Sequence, residues 1–309
     1  MSHILQDQQG IEHHSKGLPI DPDCMFSNHK NVYKKRVEKR QTKLLEKLPF
    51  IKPFLGKAEK IVLVTTGCSP MSLLEQYLGG WMVVYLKRAL FVFTNTCIFH
   101  IPTTSKYTYR HSIAKILYAD CTAIKIKGHT LVVTYKNGQK EKFHYIARAE
   151  RNKLKAWLKT ILFDGSSGKE QARRHLCPRC TEELIDDHYM CPRCNLEFKN
   201  KAEGKRTSIL YPGGGYFYTR HWWLGIGDAI TETALIIAAL SLLLDALQGS
   251  NGGFGPFWMI VVFLVLEKAI SIYHAHHFIK EFIPAKKEIT PLDTAQWQTR
   301  GQVRTQDTP

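Results

Sequence analysis

The chain has 309 residues and a formal net charge of +16 at pH 7. Hydrophobic residues make up 44% and charged residues 23%, a composition that excludes a wholly disordered chain, a collagen and a coiled coil. The length leaves room for about two domains. The charge points to an anionic partner, either a membrane surface or a nucleic acid.

The basic charge is concentrated in one block, because residues 30–163 carry 26 Lys and Arg against 7 Asp and Glu. Residues 1–29 precede this block, are polar and have no periodic apolar pattern, so we expect a disordered N-terminus without a secretory signal.

Residues 30–50 predict a basic amphipathic helix with a thin apolar stripe. Such a helix either packs on the next domain or lies on a membrane surface. The candidates for contact with lipid are its early basic residues, Lys34, Lys35, Arg36, Lys39 and Arg40.

Residues 55–163 change to short runs rich in aromatic and β-branched residues, which predict strands. These runs are 61–64, 81–86, 90–93, 97–101, 113–118, 123–127, 131–135 and 142–145. Asn137-Gly138 is a strong hairpin signal, because both residues accept a positive φ. The period then returns to that of a helix, with Leu154, Leu158 and Ile161 on one face.

Eight strands and a closing helix are the layout of a pleckstrin-homology-like (PH-like) β-barrel. Residues 90–100 resemble the T-N-x-R-hydrophobic hairpin of the bacterial PH-like and GRAM group, and residues 112–116 resemble the I-x-x-I strand that follows. Cys97 stands where that group usually has Arg, so one basic group is missing. The resemblance implies recognition of a lipid or a protein at an open barrel end, and no catalysis.

Residues 164–176 predict a flexible linker to the sharpest motif, Cys177-Pro178-Arg179-Cys180 and Cys191-Pro192-Arg193-Cys194. Two Cys-x-x-Cys turns supply four thiolates for one tetrahedral ion. Residues 177–198 thus resemble a short zinc ribbon and predict one structural Zn²⁺ held by Cys177, Cys180, Cys191 and Cys194. An iron site and a redox disulfide pair are the alternatives.

The residues between the two cysteine pairs are acidic, which disfavours nucleic-acid binding by the ribbon. These acids are Glu182, Glu183, Asp186 and Asp187. We expect the ribbon to contact protein or to act as a spacer.

Residues 199–221 predict a juxtamembrane linker, residues 222–280 a two-helix transmembrane hairpin, and residues 281–309 a polar tail. Basic residues flank both outer ends of the hairpin, so the positive-inside rule places both termini in the cytoplasm. The uncharged runs cover only residues 233–244 and 254–266. A half-inserted hairpin and a pair of buried soluble helices therefore stay open.

Charged residues inside the predicted hairpin can be paired by depth. Glu232 lies at nearly the same depth as Lys268, and Asp228 at that of His274. Pairing lowers the cost of charge in a membrane. The alternatives are a proton or ion path, and a metal bound by His274, His276 and His277 with Asp228.

Together these segments predict a multidomain α+β membrane protein with a PH-like β-barrel, a zinc ribbon and a transmembrane hairpin. We expect a cytoplasm-facing, membrane-anchored adaptor that binds a protein partner or an anionic lipid headgroup. No catalytic constellation is present, so we expect no enzyme. One alternative is an auxiliary subunit of a transporter or membrane enzyme. Another is a membrane-tethered nucleic-acid binder, which is less favoured because the basic residues are mainly Lys without an aromatic stacking stripe.

Overall fold

A computed structural model describes residues 17–72, 75, 84–163, 172–248 and 254–286. These residues form a mixed α+β protein with antiparallel sheets. The chain divides between Ile185 and Asp186 into two compact units, called unit 1 and unit 2 here.

The N-terminal segment of unit 1 is ordered from residue 17, which corrects the prediction of disorder up to residue 29. Helix α1 (Pro22–Phe26) begins after Asp21, whose side chain accepts a hydrogen bond from the Cys24 N–H at 3.0 Å. Met25 and Phe26 are buried. A five-residue helix has no detectable period, so its order comes from tertiary packing. Residues 1–16 lie outside the described residues.

The predicted basic helix is shorter than residues 30–50 and packs on a strand. Helix α2 (Lys35–Leu45) is followed by a 3₁₀ helix, Pro49–Phe54. Gln41 is fully buried, and its side chain exchanges two hydrogen bonds of 2.9 Å with the backbone of Val64. The alternative in which this helix packs on the next domain therefore describes the structure.

Nine strands form two antiparallel sheets in the described part of the chain. The larger sheet has the order β1-β2-β3-β4-β8-β9 and the smaller the order β5-β6-β7. The strands are β1 (Ile61–Cys68), β2 (Arg88–Thr94), β3 (Cys97–Pro102), β4 (Ile113–Leu117), β5 (Cys121–Lys127), β6 (Thr130–Tyr135), β7 (Lys140–Phe143), β8 (Arg174–Leu176) and β9 (Glu183–Leu184).

Seven of the eight predicted runs overlap strands β1 to β7. The exception is the run 81–86, because residues 84–86 are helical and residues 81–83 lie outside the described residues. Strand β8 falls in the predicted linker 164–176 and pairs with β4, so that linker is corrected from residue 174 onwards. Residues 164–171 are not described.

Alternate residues of the larger sheet enter two different hydrophobic clusters. Phe91 and Phe93 pack toward the smaller sheet and helix α3 (Arg148–Leu158), whereas Leu90 and Val92 pack toward the N-terminal helices. Neither sheet closes on itself within the residues described here. The finer prediction of a PH-like barrel is thus not established by the sheets.

Unit 2 is helical after residue 200. It contains α4 (Lys201–Leu210), α5 (Gly214–Tyr218), α6 (Trp222–Leu247) and α7 (Gly255–Ile279). The predicted linker 199–221 is therefore two packed helices, and Phe282 and Ile283 of the predicted polar tail are buried. Residues 249–253 and 287–309 lie outside the described set.

Helices α6 and α7 are long and apolar enough to cross a membrane. Only 11% of the most apolar stretch of α6 and 6% of that of α7 are buried. A core helix of a soluble protein would be mostly buried, so the interpretation as two buried soluble helices does not fit these exposures.

Candidate metal centre, basic surface and buried charges

The two Cys-x-x-Cys segments fold into turns with the same hydrogen bonds. The Thr181 N–H donates to the Cys177 carbonyl at 2.9 Å, and the Asn195 N–H donates to the Cys191 carbonyl at 3.0 Å. The residue after each second cysteine has a positive φ, 61° at Thr181 and 55° at Asn195. This left-handed conformation suits Asn better than Thr.

The four cysteines of these turns could hold a metal ion. Their Sγ atoms lie within 4.8 Å of one another, and all four residues are buried. Thiolates on a tetrahedral zinc at about 2.3 Å stand about 3.8 Å apart, so the donor set and its spacing suit such an ion. No disulfide links any of the eight cysteines of the chain. Cys68, Cys97 and Cys121, which belong to neither turn, are also buried.

The acidic residues between the cysteine pairs are partly neutralised. Arg174 lies 3.5 Å from Glu183, and Lys201 forms an ion pair with Asp187. These two pairs weaken the acidic patch that the sequence indicates.

The predicted lipid-facing residues of the N-terminal helix divide into two groups. Lys34, Lys35, Arg36 and Lys39 are exposed. Arg40 instead forms an ion pair with Glu150 of α3, whose carboxylate is buried. Arg40 therefore holds two elements of unit 1 together, and we remove it from the lipid-facing set. The partner, a glutamate 110 residues away, could not be seen from the sequence.

A second basic surface lies on the outer face of the smaller sheet. Lys125 of β5 and Lys142 of β7 lie opposite Val132 of the central strand β6, one on each side, and both are exposed. Lys127 and Lys140 are also exposed on these outer strands. The alternation of Ile124, Lys125, Ile126 and Lys127 is the sequence signal for this surface.

Glu59 organises the hairpin that resembles the PH-like and GRAM motif, a role that sequence reasoning missed. Its carboxylate accepts hydrogen bonds from Thr94 at 2.5 Å, Thr96 at 2.7 Å and the Cys97 thiol at 2.9 Å. Burial raises the pKa of Glu59, but these bonds and one from the Gly56 N–H outweigh burial and lower the pKa to about 2. Cys97 is thus a structural donor inside the hairpin.

A buried Ser–His contact exists in unit 1, but its geometry is not that of a nucleophile and its base. Ser69 Oγ lies 2.9 Å from His100 Nε2, and Arg173 donates to His100 Nδ1 at 2.8 Å. Arg can only donate, so Nδ1 accepts and the ring proton sits on Nε2. His100 therefore donates to Ser69 instead of accepting its proton, and burial keeps the pKa of His100 well below its usual value.

Charged residues of α6 and α7 meet inside unit 2. Lys268 Nζ donates to Glu232 Oε2 at 2.6 Å, which is the pair that depth predicts, and Glu232 is 0% exposed. Lys268 also donates to the Ser208 carbonyl at 2.6 Å, near the C-terminal end of α4. A cation at this end of a helix is favourable.

Asp228 and His274, the second predicted pair, each contact a different residue. Asp228 accepts a hydrogen bond from Ser271 at 3.3 Å, and His274 Nδ1 lies 2.6 Å from the Tyr216 hydroxyl. The pairing of Asp228 with His274 stays a prediction. His276 Nε2 lies 3.2 Å from the Lys201 carbonyl. The metal set of His274, His276, His277 and Asp228 is not among the groups of potential ligands in the described residues.

No protein-family model matches this chain, and no curated protein or solved structure matches it either.

Proposed function

We propose that this protein is a membrane-anchored adaptor. Helices α6 and α7 insert into a bilayer, and unit 1 binds an anionic lipid surface or a protein partner without performing a reaction. The observation that carries the proposal is the outward apolar surface of the two long helices. Trp223 is 87% exposed, Leu247 67% and Val265 63%. Side chains of this size are rarely exposed together in a water-soluble protein.

The part of the hairpin available to lipid is shorter than the helices themselves. Helix α4 covers α7 at three points: Ser208 contacts Lys268, Lys201 contacts His276, and an added Cβ at Gly204 would lie 2.6 Å from Ile279. The uncharged runs that remain, residues 233–244 and 254–266, are each about 18–20 Å long at 1.5 Å per residue. A hydrocarbon core is about 30 Å thick. This difference favours the half-inserted hairpin over a full crossing.

Carbonate extraction tests the anchor, since an inserted hairpin stays in the membrane pellet. Labelling of a cysteine introduced at Ser250 with an impermeant reagent then distinguishes a full crossing from a half-inserted hairpin. A full crossing makes residue 250 reactive from outside, and a half-inserted hairpin does not. A cysteine at Thr305 is the control for the predicted cytoplasmic side and should not react in sealed cells. Release by carbonate would overturn the anchor.

The PH-like assignment of unit 1 is supported by strand order. Strands β1 to β4 are consecutive neighbours in one sheet, β5 to β7 in the other, and α3 follows them. The two sheets meet where Cys68, at the end of β1, bridges His144, just after β7. Four strands, three strands and a closing helix correspond to the layout that the sequence resembles.

We further propose that the exposed basic face of α2 lies against anionic lipid. This face consists of Lys34, Lys35, Arg36 and Lys39. Each basic residue near such a surface contributes about 1 kcal/mol, and the attraction falls off within about 8–10 Å. Because the hairpin already holds unit 1 at the membrane, weak attraction suffices.

The test uses the full chain in nanodiscs made with and without phosphatidylserine. Hydrogen exchange of residues 35–45 should slow when phosphatidylserine is present and recover as salt rises. Reversal of Lys34, Lys35, Arg36 and Lys39 to Glu should abolish this difference. Reversal of Lys125, Lys127, Lys140 and Lys142 is the matched control, because it changes the net charge equally. If both variants lose the effect of phosphatidylserine equally, the attraction is diffuse and no defined face binds lipid. If phosphatidylserine has no effect on the wild type, a protein is the partner of unit 1.

The four-cysteine cluster has a structural role in this proposal, and the metal we propose for it is one Zn²⁺. Four thiolates close the coordination shell of zinc, so no position is open for a substrate. Elemental analysis of the purified chain identifies the metal. Iron in place of zinc would correct the proposed identity of the ion.

An auxiliary subunit of a transporter or membrane enzyme stays the alternative function. Burial of the pair of Glu232 and Lys268 does not by itself call for helices of another protein. Glu232 is already 0% exposed within this chain.

A further inference from the structure

The geometry points to a binding site for a hard divalent cation, Ca²⁺ or Mg²⁺, between α6 and α7. We propose that Asp228, Glu232 and Glu267 supply its ligands. One carboxylate oxygen of each residue lies within 4.8 Å of those of the other two. Two oxygens bound to one Ca²⁺ stand at most about 5 Å apart, so a single ion can reach all three. This ligand set differs from the cysteine cluster and does not depend on lipid recognition.

The charge balance at this point of the molecule favours a bound counterion. Three carboxylates meet one ammonium group, that of Lys268, which lies 2.6 Å from Glu232 Oε2. With all three carboxylates ionised, the cluster carries two negative charges, which a divalent cation would neutralise. Both helices are apolar along their outer surface, and uncompensated charge in such surroundings is costly.

Buried oxygens without a donor are the independent observation for a ligand. Glu232 is 0% exposed, and its second oxygen, Oε1, accepts no hydrogen bond from the described part of the chain. Glu267 Oε2 is also buried and accepts none. A buried acceptor without a partner is rare in folded proteins and calls for an unseen ion, water or proton. One ion within reach of all three carboxylates would contact both of these oxygens at once.

The chemistry of the donors selects the class of ion. Carboxylate oxygens suit Ca²⁺, Mg²⁺ and Mn²⁺, whereas zinc prefers the thiolates of the cysteine cluster. The hydroxyl of Ser271 lies 3.3 Å from Asp228 Oδ2 and is the nearest neutral oxygen to the cluster that the contacts show. Backbone carbonyls of Ser208 and Tyr211 are engaged by Lys268.

The test is calorimetric titration of the full chain in detergent with Ca²⁺ and, separately, with Mg²⁺. Free metal is removed by dialysis against resin-treated buffer, because a chelator would also strip the cysteine cluster. We expect about one Ca²⁺ or Mg²⁺ per chain and a higher melting temperature in its presence, since a ligand that binds only the native state stabilises it.

The informative variant is Asp228→Asn with Glu267→Gln, because it keeps the Glu232–Lys268 pair and leaves the cluster neutral. This variant should bind neither ion, and its melting temperature should not respond to them. Asp245→Asn is the matched control, as Asp245 is an exposed carboxylate on the same helix α6. It should bind as the wild type does. Zinc content and elution volume report whether each variant is folded.

Two results would overturn the site. The first is a wild-type chain that binds neither ion at millimolar concentration, which would mean that protons neutralise the cluster. The second is a folded double variant that binds as tightly as the wild type.

Discussion

Unit 1 and the helical pair of unit 2 place the same kinds of residue in opposite positions. In unit 1, Phe91 and Phe93 are 0% exposed inside the sheets, and lysines cover the outside. In α6 and α7, Trp223 is 87% exposed, whereas Glu232 is 0% exposed. The proposed insertion of α6 and α7 into a bilayer would explain the difference. Apolar side chains turn inward in water and outward in lipid, and charges do the reverse.

The segment that contains the four cysteines follows neither pattern. Between residues 177 and 198, the buried hydrophobic residues apart from the cysteines are Leu184 and Phe198. A core of this size cannot hold a fold, so a metal bound by the four cysteines would take its place. Three regions of one chain thus use three sources of stability.

The largest effect is expected from removal of the metal ligands. Cys177→Ser with Cys191→Ser should abolish zinc binding and make residues 177–198 sensitive to protease. Cys121→Ser is the control, because Cys121 is buried in the sheet core and belongs to neither turn. Elemental analysis and limited proteolysis measure both. Full zinc retention in the double variant would refute the metal site.

The next largest effect is expected when the same substitution, Leu to Ala, is made in unit 1 and in α6. Leu131→Ala should lower the free energy of unfolding by about 3–4 kcal/mol, because Leu131 is 0% exposed in unit 1. Leu240→Ala should change it by less than about 0.5 kcal/mol, because Leu240 is 56% exposed on α6. Thermal unfolding in detergent measures both. Equal losses would mean that α6 is packed inside protein.

Acid should destabilise unit 1 through Glu59. Its pKa is about 2 in the folded chain against 4.5 ordinarily, so the folded state favours the ionised form. Ionised Glu59 therefore stabilises the folded state by about 3 kcal/mol. This stabilisation is complete above about pH 4.5 and is lost as the pH falls toward 2.

The measurement is denaturant unfolding between pH 2 and 6. Glu59→Gln should be less stable at pH 6 and should lose less stability on acidification. Glu46→Gln serves as the control, since Glu46 is exposed at the C-terminal end of α2. A wild-type slope retained in Glu59→Gln would assign the acid effect to other carboxylates.

Local sequence patterns predict much of the fold. Strands β2 and β3 are visible as apolar runs on either side of Thr94-Asn95, and the cysteine spacing predicts the cluster. The charge pair of Glu232 and Lys268 follows from depth alone, because two antiparallel helices fix which residues share a level.

Contacts between distant residues could not be predicted in the same way. Glu59 binds groups 35 to 38 residues away, and Arg40 binds Glu150 at a separation of 110 residues. Neither residue has a local signature, because a single Glu or Arg in a polar segment is indistinguishable from a solvated one. Helix α5 was missed because Gly213, Gly214 and Gly215 indicate a turn when packing is unknown.

These glycines give the last prediction, because unit 2 packs backbone against backbone where unit 1 packs large side chains. A Cβ added at Gly214 would lie 2.0 Å from the Thr207 carbonyl oxygen. Backbone cannot move away as a flexible side chain can. Gly214→Ala should therefore lower the free energy of unfolding of unit 2 by about 2 kcal/mol.

Gly227→Ala is the matched substitution on α6, where an added Cβ meets nothing within 4 Å. It should be neutral or stabilise by up to about 1 kcal/mol, since Ala favours a helix over Gly. Thermal unfolding in detergent compares the two variants with the wild type. If both are neutral, α4 and α5 are loosely attached and residues 199–221 behave as the linker that their sequence indicates. If only Gly214→Ala destabilises, close backbone packing holds these helices together, and the base of the hairpin is a folded part of unit 2.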